Sequence, residues 1–307
     1  MDNITVFCPG TVANVSCGFD VLGLCLDTVG DIMKVKKVSR EGITITKVTG
    51  ADLHLDADKN VAGVAAMAFI NDVQPSFGFE ISIEKKIKAG SGIGSSAASA
   101  AGAVYALNHL CGNPLSNTEL VKHAMAGEAL ASGSAHADNV APCLVGGFTL
   151  IRSYTPLDII KINAPAELFA TVIHPHIELK TKDSRSVLKE TISLKKGIIQ
   201  CGNLAGLISG LYTNDYSLIG RSLHDEFVES SRSVLIPNFK ALKEAALTAG
   251  ALGVGISGSG PSVFALSQGE ITAKRIGEQF TKVMEQSDIS FDVHVSPINP
   301  TGIKIIG

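Results

Sequence analysis

The chain is expected to fold as a mixed α+β protein in two domains. Three observations support this. Runs with the two-residue period of half-buried strands alternate with runs at helical spacing along all 307 residues. That length exceeds what one ordinary core holds. The texture also changes near Ser153–Pro165, where Tyr154-Thr155-Pro156 and Ala164-Pro165 are loop signals around a short apolar run. We therefore divide the chain into an N-terminal domain over 1–155 and a C-terminal domain over 156–307. Hydrophobic residues make up 45% and aromatics only 5%, with no Trp, so the core is ample and aliphatic.

Ile4–Phe7 reads as a first strand ended by Cys8-Pro9-Gly10-Thr11, with Thr11–Asp20 a polar loop before the apolar Val21–Leu26. Met33–Val38 and Ile43–Val48 read as a hairpin turning near Arg40-Glu41-Gly42. Asn60–Ile70 has helical spacing, with Asp58 placed as its cap. Phe79–Glu84 alternates apolar and polar residues. Then come Gly90, Gly92 and Gly94, Ser95-Ser96, and an Ala-rich helical run to Leu107. Ser116 and Glu119 have capping-box spacing, opening a helix over Thr118–Ala131. A small-residue loop to Asn139 precedes a strand over Leu144–Ile151. The second half reads as strands Ile159–Ile162 and Phe169–His174, then helices Ser184–Glu190, Lys196–Leu211, Ser217–Val228 and Asn238–Ala249. Gly253–Gly260 reads as a second glycine loop. Strand Ser262–Leu266, helix Ile271–Glu285 and strands Phe291–Val295 and Gly302–Ile306 complete it.

A net charge of −3 points to neither nucleic acid nor an acidic membrane surface as partner. Six scattered cysteines without a C-x-x-C pair fit reduced cytoplasmic thiols better than zinc or disulfides. The N-terminus lacks the basic and apolar pattern of a secretory signal, and Ala89–Thr118, though free of charge, holds too much Gly, Ser, Asn and Pro for a membrane span.

The strand–glycine loop–helix at 79–107 is the recipe for an anion cradle. Glycines let the backbone approach, and the first helical N–H groups have no partner within the helix. It is neither a Walker A loop, since no Lys follows Gly94, nor a dinucleotide fingerprint, since Ser95 stands at the third glycine position. A plain glycine turn remains the alternative, though it needs neither the double Ser nor the Ala-rich helix. Glu128 and Ser96 offer the hard oxygens that Mg2+ prefers, although Glu128 alone reads as a helix-surface residue. Asn14 and Asp20 flank a loop between apolar runs, where Asx-turn bonding is the plainer account. His136, Asp138 and Asn139 suggest acid–base work or a satisfied loop histidine. Arg185 and Arg232 suit a carboxylate clamp, though each alone reads as a surface arginine. His174-Pro175-His176 shows no third ligand, so no metal is assigned there.

Three segments together, CPGTVANVSCGFDVLGLCL (8–26), GSGIGSSAA (90–98) and GISGSGPS (255–262), resemble the three motifs of the GHMP kinase family. SAHADNVAP (134–142), HPHIELKTKDSR (174–185) and FVESSRSVLIPNF (227–239) resemble its homoserine kinase branch. The resemblance implies a two-domain fold, ribosomal protein S5 domain 2-like followed by ferredoxin-like. It implies transfer of the γ-phosphoryl group of ATP to the hydroxyl of L-homoserine on the route to threonine, with Mg2+. Matched by position, Asn60, Val61, Lys88, Ala89, Gly90, Ser91, Gly92, Ile93, Gly94, Ser95, Ser96 and Gly258 fall at the ATP site, with Ser96 and Glu128 on the metal side. Asn14, Asp20, His136, Asn139, Thr181, Arg185 and Arg232 match the homoserine pocket; Asn139, Asp138 and Arg185 are the candidates at the reacting centre. Family members are commonly dimers, so a homodimer is the matching expectation. The chain departs from the family pattern with Gly10 for Ala, Ser16-Cys17 for Gly-Pro, and Lys88 for a Pro ahead of the glycines. Lys88 either adds charge near phosphate or stays solvated. Another small-molecule kinase of the family, such as a mevalonate type, and a non-catalytic nucleotide-binding regulator are the competing readings.

Overall fold

The structure is a computed structural model that describes residues 2–177, 179 and 181–307. In chain order it holds β1 (Asn3–Ala13), β2 (Leu22–Val38), β3 (Ile43–Thr49), α1 (Val61–Val73), β4 (Gly78–Glu84), α2 (Ser95–Leu110), α3 (Asn117–Ser132), α4 (Val140–Val145), β5 (Phe148–Tyr154) and β6 (Leu157–Ile162). These are followed by β7 (Leu168–Pro175), α5 (Thr181–Ser186), α6 (Leu194–Thr213), α7 (Tyr216–Ser222), α8 (Glu229–Arg232), α9 (Phe239–Thr248), β8 (Gly253–Ile256), β9 (Val263–Gln268), α10 (Glu270–Met284), β10 (Phe291–Pro297) and β11 (Lys304–Ile305). The expected α+β class is what forms.

Seven strands make the first sheet, in the order β11-β1-β2-β4-β3, with β5 paired to β2 and β6 to β5. The long β2 is its spine. Residues 22–24 pair with β5 and residues 32–38 with β4, while β1 runs along most of its other edge. β1 is therefore much longer than the run Ile4–Phe7. It passes through Pro9 because a bulge between Pro9 and Thr11 absorbs the interruption. The expected hairpin of Met33–Val38 with Ile43–Val48 does not form: β4 inserts between them, antiparallel to β2 and parallel to β3. A parallel partner needs a crossover, and α1 supplies it.

α1, α2 and α3 pack on one another over this sheet. The Ala-rich α2 is buried on nearly all sides, including Ala97, Ala98, Ala100, Ala101 and Ala103. Such small side chains let helices and sheet approach closely. Gly102, for instance, faces Cys8, whose Sγ would lie 2.3 Å from an added Cβ. Asn60, not Asp58, caps α1, through a bond from the Ala62 N–H. The Ser116/Glu119 capping box opens α3 as expected.

The second sheet runs β10-β7-β9-β8. Its Ile173, Val254, Val263 and Ala265 form a separate core with α9 and α10, while Ala170, Val172 and Phe264 join the main core. Gly253–Ile256 proves to be a fully buried strand rather than part of a loop, so the loop shrinks to Ser257–Ser262. The run Ser217–Val228 is helical only to Ser222, because Asp225 turns the chain by accepting the amides of Phe227, Val228 and Glu229. Residues 155 and 156 lie in the turn of the β5–β6 hairpin, so β6 stays with the first sheet, and β11 returns to pair with β1. Among the described residues no helix is long and apolar enough to cross a membrane.

Candidate active site

β4 delivers the chain into the glycine loop, and α2 leaves it. Gly90, Gly92 and Gly94 all have positive φ, at 71, 80 and 68°. At Gly92 an added Cβ would lie 2.7 Å from the carbonyl oxygens of both Gly260 and Ser257, and at Gly94 2.0 Å from Thr11 Oγ1. Both positions therefore need glycine for space as well as for φ. The second glycine loop clamps the first. Ser257 Oγ donates to Gly92 O at 2.7 Å and Ser262 Oγ to Ser91 O at 2.6 Å. The first intrahelical bond of α2 runs from Ala98 N to Gly94 O. Among the described residues no protein acceptor takes the amides of Gly94, Ser95, Ser96 and Ala97. These donors sit at the positive end of the α2 dipole and open on a cleft of about 540 Å³.

Asp52, Leu53, His54, Asn60 and Val61 also line that cleft, as do Ser96, Glu128 and Asn139. Ser96 Oγ donates to Glu128 Oε2 at 2.8 Å. Burial pushes the Glu128 carboxyl above its usual range, against the Ser96 hydrogen bond. A buried carboxylate and a hydroxyl facing an anion cradle are a donor set that fits a hard divalent cation. Lys85 also reaches the cleft. Its ammonium is buried, ion-paired with Asp31, and donates to Ser95 O at 2.8 Å and Ser99 Oγ at 3.1 Å. Asp31 in turn accepts the amides of Lys86 and Ile87, fixing the loop's entry to the start of α2.

A second cluster adjoins the cleft through Gly258, which lines it. The Gly258 carbonyl accepts from Asn14 Nδ2 at 2.8 Å and from an Arg232 Nη at 3.1 Å. Asn14, Val15 and Ser16 run at positive φ of 70, 40 and 57°, and Asp20 at 60°. For non-glycine residues, a β-branched one among them, that is stored strain. Asn14 Oδ1 holds the loop by accepting the Asp20 amide at 3.0 Å. Arg185, at the end of α5, grips both Asp20 oxygens, at 2.8 and 3.2 Å, and donates to His136 Nε2 at 2.9 Å. Burial lowers the pKa of His136, favouring the neutral ring, which has one nitrogen free to accept. Arg232 is almost wholly buried and donates to Ser184 O. Burial, then the charge of Arg185, lowers it to about 10, so it stays protonated at neutral pH. Both guanidiniums lie over the Phe19 ring, 5.7 and 5.2 Å from its centroid. Two cations facing one carboxylate leave a net positive pocket, suited to an anionic group that also carries an ammonium for Asp20.

Comparisons with known proteins place the chain in a family. Residues 60–147 match the model of the GHMP kinases N terminal domain, and residues 207–286 that of the GHMP kinases C terminal. A homoserine kinase of Chlorobium phaeobacteroides is 44% identical over 320 residues, covering all of both chains. One of Xylella fastidiosa is 36% identical over 98% of this chain and 93% of its own. The crystal structure of homoserine kinase from Cytophaga hutchinsonii superposes with a TM-score of 0.96 at 51% identity, covering 100% of this chain and 98% of that one. The chain belongs to the GHMP kinase family.

In this GHMP kinase, Asn60, Val61, Ala89, Gly90, Ser91, Gly92, Gly94, Ser95, Ser96, Glu128, Asn139 and Gly258 all line the cleft. Two residues expected at ATP do not. The Ile93 side chain turns into the core, and Lys88 reaches the other way, to His176 and Asp292. Asn139 Oδ1 accepts from Thr11 Oγ1 at 2.7 Å. Asp138 is buried beside it, off the cleft lining, and burial raises its pKa to about 7, helped by the charges of Asp20 and Glu128. Thr181 opens α5, but its side chain lies outside the described residues. Lys85, Thr11 and Phe19 were missed. For Lys85 a signal existed: it takes the next inward position after Phe79, Ile81 and Ile83, where a strand rarely places a charge without a partner.

Proposed function

We propose that this chain transfers the γ-phosphoryl group of ATP to the side-chain hydroxyl of L-homoserine, giving O-phospho-L-homoserine and ADP. The observation that carries the reading is the pairing, across the Gly258 carbonyl, of an anion cradle with a pocket charged for a zwitterion. Full-length identity to homoserine kinases supports it. The amides at the start of α2 hold the phosphates, and the base lies toward Asn60 and Val61. Glu128 and Ser96 would hold Mg2+, which supplies charge neutralisation on the phosphates. Arg185 and Arg232 bind the homoserine carboxylate, Asp20 its ammonium, and Asn139 faces the reacting hydroxyl. Six free cysteines fit a cytoplasmic site of action. An ADP-release assay with Mg2+ and L-homoserine, mevalonate or galactose tests the reading. Turnover is expected with homoserine and at least 100-fold less with the others, which need no amino acid clamp. Equal or greater turnover of another acceptor overturns it.

Positioning and electrostatics supply most of the rate, and the hydroxyl proton passes to the transferred phosphoryl group as the new O–P bond forms and the β–γ bridge breaks. Asp138 sits off the cleft lining, so Asp138→Asn is expected to keep kcat within about tenfold. Near-total loss in a folded variant would make Asp138 the base. The same variant carries a stability signature. The carboxyl titrates at about 7 in the folded protein against an ordinary 3.8. Between these values the unfolded chain releases a proton that the folded chain keeps, so stability falls as pH rises through this window. Asp138→Asn removes that fall, gaining up to roughly 4 kcal/mol relative to the parent between pH ~4 and ~7. Denaturant unfolding across that range checks it.

A further inference from the structure

A group of side chains outside the site converges at the seam between the two sheets. β7 and β10 pair antiparallel with Asp292 opposite His174. The His176 amide donates to Ser290 O at 2.7 Å, carrying the pairing two residues on. His174, His176 and Asp292 therefore share one face, the same face whose Ala170 and Val172 enter the main core. His176 Nε2 lies 2.7 Å from Asp292 Oδ2, and His174 Nδ1 lies 4.0 Å from the same oxygen. One donor atom from each residue falls within 4.8 Å of the others. His294 follows Asp292 on that face. A cation already lies against the group: Lys88 Nζ is 2.8 Å from His176 Nε2 and 3.7 Å from Asp292 Oδ2.

We propose that His174, His176 and Asp292 form a binding site for one divalent transition-metal ion of the Zn2+ class, which enters by displacing the Lys88 ammonium. Two imidazoles and one carboxylate are the donor set of borderline ions, whereas Mg2+ prefers oxygen alone. Zinc–ligand bonds of about 2.0–2.1 Å in a tetrahedron hold neighbouring donors about 3.3 Å apart. The two separations from Asp292 Oδ2, 2.7 and 4.0 Å, straddle that value and the histidine donors lie within 4.8 Å of each other, gaps of a size that side-chain rotation closes, with water completing the shell. The donors sit on paired strands rather than on a loop, and Ser290 Oγ, 2.9 Å from His176 Nδ1, orients that ring. Lys88 is about half exposed and has solvent to swing into.

The test uses the full chain carrying Cys201→Ser, which removes the one exposed thiol. ZnCl2 titrated against a chromogenic chelator is expected to show one equivalent bound and not displaced by millimolar Mg2+. His176→Gln and Asp292→Asn are each expected to weaken binding at least tenfold, and Lys88→Gln to tighten it several-fold. Co2+ added to the otherwise unaltered chain is expected to give the visible bands of a tetrahedral nitrogen–oxygen site. If His176→Gln or Asp292→Asn loses its far-UV circular dichroism, the Co2+ spectrum and the exposed Lys88→Gln variant decide. Absence of a stoichiometric Zn2+ site overturns the proposal. So do unchanged affinities in both ligand variants, an unchanged affinity in Lys88→Gln, or an octahedral Co2+ spectrum.

Discussion

Glu128→Gln is expected to lower kcat by about 10³-fold while leaving binding of metal-free ATP nearly unchanged. Phosphoryl transfer asks little covalent work of a protein and much charge neutralisation. Glu128 is the carboxylate that faces the mouth of the glycine-loop helix, with Ser96 hydrogen-bonded to it. The amide side chain keeps the shape and a hydrogen-bond acceptor for Ser96 but removes the charge that would hold Mg2+. Its buried setting gives a second signature. The raised pKa means that proton and cation compete for the same oxygens, so in the parent the acid limb of the pH–rate profile moves to lower pH as Mg2+ increases. In Glu128→Gln that movement disappears and far more Mg2+ is needed for half-maximal rate. Steady-state kinetics over a Mg2+ series at several pH values reads both effects. Unchanged Mg2+ dependence in the variant would remove Glu128 from this role.

The site was more legible than the sheet that carries it, for a physical reason. Glycines with positive φ, helix caps and small-residue runs are local demands, and each leaves its mark within a few residues. The three positive-φ glycines of the loop, the Ser116/Glu119 box and the Ala-rich α2 were all readable in this way. Strand pairing is set by distant partners. Met33–Val38 and Ile43–Val48 look like a hairpin by spacing, yet Phe79–Glu84 separates them because its apolar face completes the buried layer between both. Likewise, nothing near Cys8-Pro9-Gly10 announces that β1 continues to Ala13, because the bulge that permits it is a property of β2 alongside.

The same distinction sorts the site residues. Asn14, Asp20, His136, Arg185 and Arg232 lie far apart in sequence, and only their shared resemblance to a family put them together before the fold did. Phe19, which spans both arginines, carries no polar group to draw attention. Lys88 was drawn toward the phosphates by its position two residues before Gly90. A competing acidic and imidazole cluster on the second sheet holds it instead. The histidine pair 174/176 lacked a third donor only until β10 was laid beside β7.

Arg185→Lys is expected to raise KM for homoserine about 10²-fold, with kcat changed less, although the charge is kept. The arginine makes three directed bonds at once, two to the Asp20 carboxylate and one to His136, while its guanidinium rests on Phe19. That fork sets Asp20 and His136 at defined distances before any substrate arrives, and a planar fork also matches the substrate carboxylate. An ammonium on a flexible stem can satisfy one of these partners at a time. Each charge-assisted hydrogen bond lost costs about 1.5–3 kcal/mol, which is the origin of the 10²-fold figure. Phosphate binding should be untouched, because Arg185 does not line the nucleotide cleft. The KM for ATP is therefore the internal control. An equal rise in both constants would mean that the variant disturbs the whole site, and an unchanged homoserine KM would mean that the carboxylate is held elsewhere. Arg232→Lys should behave differently. Arg232 is nearly buried and donates to the carbonyls of Ser184 and Gly258, so it braces the wall shared by the two pockets. Its loss should raise both KM values, because Arg232 holds the loop that both pockets share as well as the carboxylate, whereas loss of Arg185 should raise the homoserine KM alone.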